Sequence, residues 1–154
     1  MKMSKAGILA LAALLGFAAA TVQAGDANNG YDKQKVVYHV NHIEDAGAAL
    51  RNVKNHLNAV GDENIDLVVV THSSGALALV DGAMGKKDKD GKVYNFEDSI
   101  AALANRGVKF MICSNTIRGL KIDKNDINQY AEIVPSGVAH VAYLQQKGYV
   151  YVKP

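Results

Sequence analysis

Cysteine occurs once in the 154-residue chain, as Cys113. It closes the apolar run Val108-Lys109-Phe110-Met111-Ile112-Cys113 and is followed by Ser114, Asn115 and Thr116. A thiol becomes a nucleophile or a soft ligand as its thiolate, and amides at a helix start or a nearby cation favour that form. Ser114 to Thr116 can begin such a turn, and Arg118 is the cation close in sequence. A lone cysteine cannot form an internal disulfide, which leaves a reactive thiol, an intermolecular bond, or a small buried apolar residue. Two histidines stand where they can join it. Asn41 and His42 follow the run Val36-Val37-Tyr38-His39-Val40, and His72 follows Ile65 to Thr71. With Cys113 these histidines offer a thiol–imidazole pair or, alternatively, a metal site made of His42, His72 and Cys113. Their spacing matches no metal signature, so neither a metal nor a cofactor is assigned. His39 reads as core or half-covered, His56 as solvated on a helix, and His140 as structural. Thr71-His72-Ser73-Ser74-Gly75 lacks the first glycine of a serine-nucleophile elbow. Neither a dinucleotide fingerprint nor a phosphate loop is present.

The elements that must position these groups follow from periodicity. Val36 to Val40, Ile65 to Thr71 and Val108 to Cys113 read as strands, and the second is continuously apolar, as in a strand covered on both faces. Ala46, Leu50, Val53, Leu57 and Val60 mark one helix face over Glu44 to Val60, and Gly61 is placed to cap it. Ser73 or Ser74 can cap a short helix reaching Val80, and Asn95 can cap one carrying Phe96, Ile100, Leu103 and Ala104. Residues 114–130 read as mixed, with a short helix around Asp126 to Tyr130. Ala131 to Val134 reads as a strand, Ser136 caps a helix ended by Gly148, and Tyr149 to Val152 is a last strand. Strands alternating with helices predict an α/β three-layer sandwich of about five mainly parallel strands, helices on both faces, flavodoxin-like. In such sheets ligands sit beyond the carboxyl ends of the strands. Asn41, His42, His72 and Cys113 to Thr116 fall on that edge. If the first and third strands are neighbours, His42 and Cys113 face one crevice.

The start of the chain reads as a targeting segment. Lys2 and Lys5 precede the apolar run Ile8 to Ala20, and Val22-Gln23-Ala24 has the small residues of a cleavage site. The run is shorter than the roughly 20 residues a membrane helix needs. The expected organisation is a signal peptide over 1–24, a flexible arm over 25–34 and one domain over 35–154, with a periplasmic location and no membrane attachment after cleavage. The chain has 17 Lys and Arg against 15 Asp and Glu; loss of Lys2 and Lys5 balances them. No basic patch with interleaved aromatics is present, which argues against nucleic acid. Gly82 to Val93 is the one strongly charged stretch and reads as an exposed loop. Its Asp88-Lys89-Asp90-Gly91 supplies only a fragment of a calcium loop. Tyr143, Tyr149 and Tyr151 gather near the C-terminus, a composition suited to an interface, although two of the three are expected to pack on the chain's own sheet.

Several segments together resemble the DsrE/DsrF-like family, in its exported single-domain subgroup. They are Val36 to Asn41, Val68 to His72, Cys113-Ser114-Asn115-Thr116, Pro135 to Val138, and Leu144 to Tyr149. The resemblance implies the YchN-like α/β sandwich and assembly into homo-oligomers. It also implies sulfur relay as a persulfide on the cysteine that matches Cys113, with a sulfur donor or acceptor protein or a small sulfur species as partner. The expected role is a carrier or soft-ligand binder, or sulfur transfer if catalytic, the alternatives being a metal- or haem-binding protein using the strand-end histidines and a structural or interaction protein. Asn41, His42, His72, Ser114, Asn115, Thr116 and Arg118 are the expected supporting residues. Two departures stand out. Export removes the chain from the cytoplasmic relay partners of the better-known members, and Ser-Asn-Thr follows the cysteine in place of a small apolar stretch.

Overall fold

The computed structural model describes residues 30–82 and 95–154. The expected signal segment, the first half of the expected arm and nearly all of the charged stretch lie outside the described residues. Five strands form one parallel sheet: β1 (Gln34–Val40), β2 (Ile65–Thr71), β3 (Lys109–Cys113), β4 (Ala131–Val134) and β5 (Val150–Val152). β1 begins at Gln34, one residue inside the segment expected as an arm. The spatial order is β4-β3-β2-β1-β5. The first and third strands are therefore not neighbours; β2 lies between them, and the crevice that joins His42 to Cys113 is corrected on that ground.

Helix α1 (Ile43–Val60) connects β1 to β2, a 3-10 segment (Ser73–Leu79) and α2 (Glu97–Ala104) lie between β2 and β3, and α3 (Ser114–Leu120) follows β3. These connections all step in one direction. Helix α4 (Gly137–Gln146) then carries the chain back across the sheet so that β5 pairs with the outer side of β1. Right-handed crossovers place a returning connection on the opposite face. The core divides accordingly. Tyr38, Leu67, Val69, Phe110 and Ile112 pack with α1 and α2, while Val37, Val68, Val70 and Met111 pack with Val141 and Leu144 of α4. This explains why β2 reads as continuously apolar: successive residues serve two different cores.

Local chemistry departs from expectation at four points. Ser74 caps no helix of its own; its hydroxyl accepts from the Ile43 N–H at 3.3 Å and closes the start of α1. The short helix expected around Asp126 to Tyr130 is displaced: a 3-10 turn covers Lys124–Asp126, and residues 127–130 are not helical. Asn128 is buried, donates to Asp81 at 2.6 Å and takes the Leu79 carbonyl on its N–H, and Val80 bridges Ile127, so backbone bonds a helix would need are used elsewhere. Asn95 accepts from the Glu97 N–H at 3.0 Å, while Phe96 holds the cap position of α2. His56 is half-buried rather than solvated, bonded to Gln34 at 2.7 Å and the Tyr38 hydroxyl at 3.1 Å.

Candidate functional site

Side chains alternate along a strand, so Cys113 shares the α4 face with Met111, two residues earlier. Thr71 and Ile112 are register partners, which brings His72 beside Cys113 where the strands end. Gly137, the first residue of α4, fits between them. A Cβ built there would stand 3.1 Å from the His72 Cβ, 3.2 Å from the Thr71 carbonyl oxygen and 3.3 Å from the Cys113 Cβ. Only a residue without a side chain lets the helix start approach this closely.

That approach sets the electrostatics. Cys113 is 4 % exposed, and burial alone would raise its pKa. The N–H groups of Gly137, Thr116 and Asn115 and the Thr116 hydroxyl converge on the sulfur and outweigh burial, holding the thiol below its ordinary pKa. Cys113 occupies the N-cap position of α3 without a conventional side-chain cap bond. The stabilisation therefore comes from several amides from two sides rather than from one short contact. The expected role of Arg118 is corrected. Its guanidinium donates to Ser114 at 2.8 Å and to Asn115, on the exposed side of its own helix, and it is not among the groups acting on the sulfur.

From Cys113 a row of polar side chains runs across the sheet. The Thr116 hydroxyl also accepts the Ser73 N–H at 3.0 Å. The Ser73 hydroxyl lies 3.0 Å from His72 Nδ1. His72 Nε2 lies 2.6 Å from His39 Nε2, and His39 Nδ1 lies 2.8 Å from the Tyr151 hydroxyl on the edge strand β5. Ser73 holds φ +50°, sparsely populated for a residue with a side chain. Burial pushes both histidines below the ordinary imidazole range; His72 and Lys153 press further on His39, and His42 on His72.

Of the residues expected from sequence, the structure gathers Cys113, Thr116, Asn115 and His72. Ser114 faces Arg118, and exposed His42 stands at the cap of α1. Asn41 is half-buried; its backbone carbonyl accepts the Gly75 N–H, and its side-chain oxygen has no partner. Among the described residues no three His, Cys, Asp or Glu side chains stand together as a metal-binding group, so His42, His72 and Cys113 do not converge as one. Sequence reasoning missed Gly137, His39 and Tyr151. The signal for His39 was available: two-residue alternation puts it on the face of Val37, one residue from the end of β1.

A parallel sheet with this order, carrying a thiol at a strand end under the start of the returning helix, defines a class of small α/β proteins. The DsrE/DsrF-like family model matches residues 34–154, and the chain belongs to that family. Among solved structures it is similar to MTH1491, a protein of unknown function from Methanobacterium thermoautotrophicum. The two are 28 % identical with a TM-score of 0.62, over 79 % of this chain and all of that one. It is also similar to the ychN protein from E. coli, at 20 % identity and a TM-score of 0.63, over 79 % of this chain and 99 % of that one, a likeness of fold. No curated protein matches the chain.

Proposed function

We propose that this protein is an exported sulfur carrier that accepts a sulfane sulfur on Cys113 as a persulfide. The observation that carries the reading is the ring of donors from Gly137, Thr116 and Asn115 about a strand-end sulfur, which favours the thiolate despite burial. Sulfur exchange proceeds by thiolate attack on a sulfur–sulfur bond, so a thiol whose ionised form is favoured is the group such a carrier needs. Membership of the DsrE/DsrF-like family agrees with a sulfur-relay role. The test is the intact mass of purified protein after polysulfide treatment. A gain of about 32 Da per sulfur is expected, removed by reductant and absent in Cys113→Ser. A wild-type thiol that stays unmodified, or that reacts only in denaturant, overturns the reading.

The same proposal includes a homo-oligomer. Helix α4 turns Val141 and Leu144 to the sheet yet exposes Val138 and Tyr143, and Val150 and Tyr151 are exposed on the edge strand β5. A helix apolar on two sides and an unpaired strand edge call for partners, and a second copy of this chain supplies both. Sedimentation at micromolar concentration should give a mass above the monomer; a monomer throughout a hundredfold dilution refutes it. Export is tested by fractionation: the protein should appear outside the cytoplasm, shortened at its N-terminus.

A further inference from the structure

Beyond the thiol itself lies a chain of groups that each can give and take a proton. Ser73 Oγ, the two nitrogens of His72, the two of His39 and the Tyr151 hydroxyl succeed one another at 3.0, 2.6 and 2.8 Å. Two Nε2 atoms at 2.6 Å must have one proton between them, since two bare lone pairs would repel and two N–H groups would clash. The two rings, tilted 30° with centroids 4.7 Å apart, are held in that contact across neighbouring strands β1 and β2. The arrangement has two directions of equal count. In one, Tyr151 donates to His39 Nδ1, His39 Nε2 to His72 Nε2, and His72 Nδ1 to Ser73. In the other, every bond is reversed. One end, Tyr151, is exposed on β5, and the other is Ser73, whose N–H donates to the Thr116 hydroxyl that acts on Cys113.

From this geometry we infer that Tyr151, His39 and His72 form a proton relay that delivers protons from the β5 edge to the lip of the Cys113 crevice. It rests on the carrier reading for its chemical purpose. In that step the Cys113 thiolate attacks the outer sulfur of a donor persulfide. The donor's sulfur–sulfur bond breaks, a new one forms on Cys113, and the donor leaves as a thiolate. That thiolate takes the Ser73 hydroxyl proton. Ser73 is refilled from His72 Nδ1, His72 Nε2 from His39 Nε2, His39 Nδ1 from Tyr151, and Tyr151 from water, so one proton crosses from solvent to the leaving thiol. Both imidazoles stay neutral throughout. That suits their surroundings: the charges acting on them, Lys153 after β5 and His42 after β1, are basic and oppose a second proton. The other titratable groups nearby are Tyr151, the end of the row on β5, and Cys113 on β3, beyond the Ser73 end.

His39 and Tyr151 are positioning residues, and two readouts on the full-length protein test them. The first compares sulfur transfer from a low-molecular persulfide with alkylation by iodoacetamide, whose leaving iodide needs no proton. His39→Gln should slow transfer by about 100-fold, the lower end for proton-transfer catalysis, and Tyr151→Phe should slow it in the same direction, while alkylation changes by less than about twofold. Equal slowing of both reactions, or of neither, overturns the relay. The second is independent of sulfur chemistry. Imidazole nitrogen resonances of His39 and His72 should show neutral rings averaging two tautomers at neutral pH, and Tyr151→Phe should fix the pair as one. Two rings that titrate independently at the ordinary histidine pKa, indifferent to Tyr151→Phe, refute the relay. A wild-type protein that takes up no sulfur refutes the carrier reading alone, and the relay then stands or falls on the nitrogen spectra.

Discussion

Replacing Gly137 with alanine asks whether the close approach of α4 controls the thiol. The new methyl would meet two β-carbons and a carbonyl oxygen at 3.1 to 3.3 Å, all on the paired strand ends of β2 and β3. Those neighbours cannot swing aside as a long side chain would, so the helix start must back away by a few tenths of an ångström. Overpacking of this kind costs about 1–3 kcal/mol, and alanine's better helix propensity returns up to about 1, leaving roughly 1 kcal/mol of destabilisation. The larger effect should fall on Cys113. Weakening one N–H contact to a thiolate forfeits about 0.5–1.5 kcal/mol, which corresponds to a two- to tenfold lower thiolate population. Iodoacetamide labelling followed against pH measures it directly. The rate below the thiol's pKa should fall by that factor, while the plateau at high pH is nearly unchanged. Thr116→Val should act in the same direction without crowding the helix. A Gly137→Ala protein that is less stable yet labels as fast as wild type at every pH would show that the amides of α4 do not set the thiol's ionisation.

Arg118→Ala should leave Cys113 labelling within about twofold of wild type, because the guanidinium is engaged by Ser114 and Asn115 and its exposed charge is screened; a tenfold loss would restore it as the activating cation. Gly75→Ala should destabilise by about 3 kcal/mol or more in urea unfolding, since its Cβ would stand 2.4 Å from the Val40 carbonyl oxygen; a change under about 1 kcal/mol would contradict that packing. His39, His56, His72 and His140 all sit below the ordinary imidazole pKa, burial being the main cause of each. The unfolded chain therefore takes up protons first, so stability is complete above about pH 7 and declines as pH falls through the window below it. Melting temperature against pH should show that decline, flattened in a His39→Gln, His72→Gln double variant. A profile unchanged from about pH 7 to 5 would refute it.

The regular elements were legible because their signals are local. Apolar spacing located α1, and the unbroken run of β2 told correctly of cover on both faces. Cys113 and His72 could be placed at the carboxyl edge because one ends a strand and the other directly follows one. Strand order was not legible, since nothing in the apolar pattern of β1 or β3 says which strand lies between them, and the pairing of His42 with Cys113 failed there. The surroundings of the sulfur were half read. A turn starting at Ser114 was expected and present, but the Gly137 amide comes from a segment 24 residues away, brought near by a helix that crosses the sheet. His39 and Tyr151 belong to the same kind of omission: their 2.8 Å contact joins residues 112 positions apart.

The backward step of α4 also orders events in time. β5, only three residues long, pairs with β1, so among the described residues the outer edge of β1 has no partner until Val150–Val152 dock. Contacts between distant segments form late because their loops are costly to close. A nascent or clipped chain lacking Val150–Val152 would therefore carry a bare strand edge prone to aggregation. It would also lack the hydroxyl that reaches His39. In this molecule, closing the sheet and completing the row of polar groups are one event, so only a chain that has docked Val150–Val152 assembles the whole arrangement.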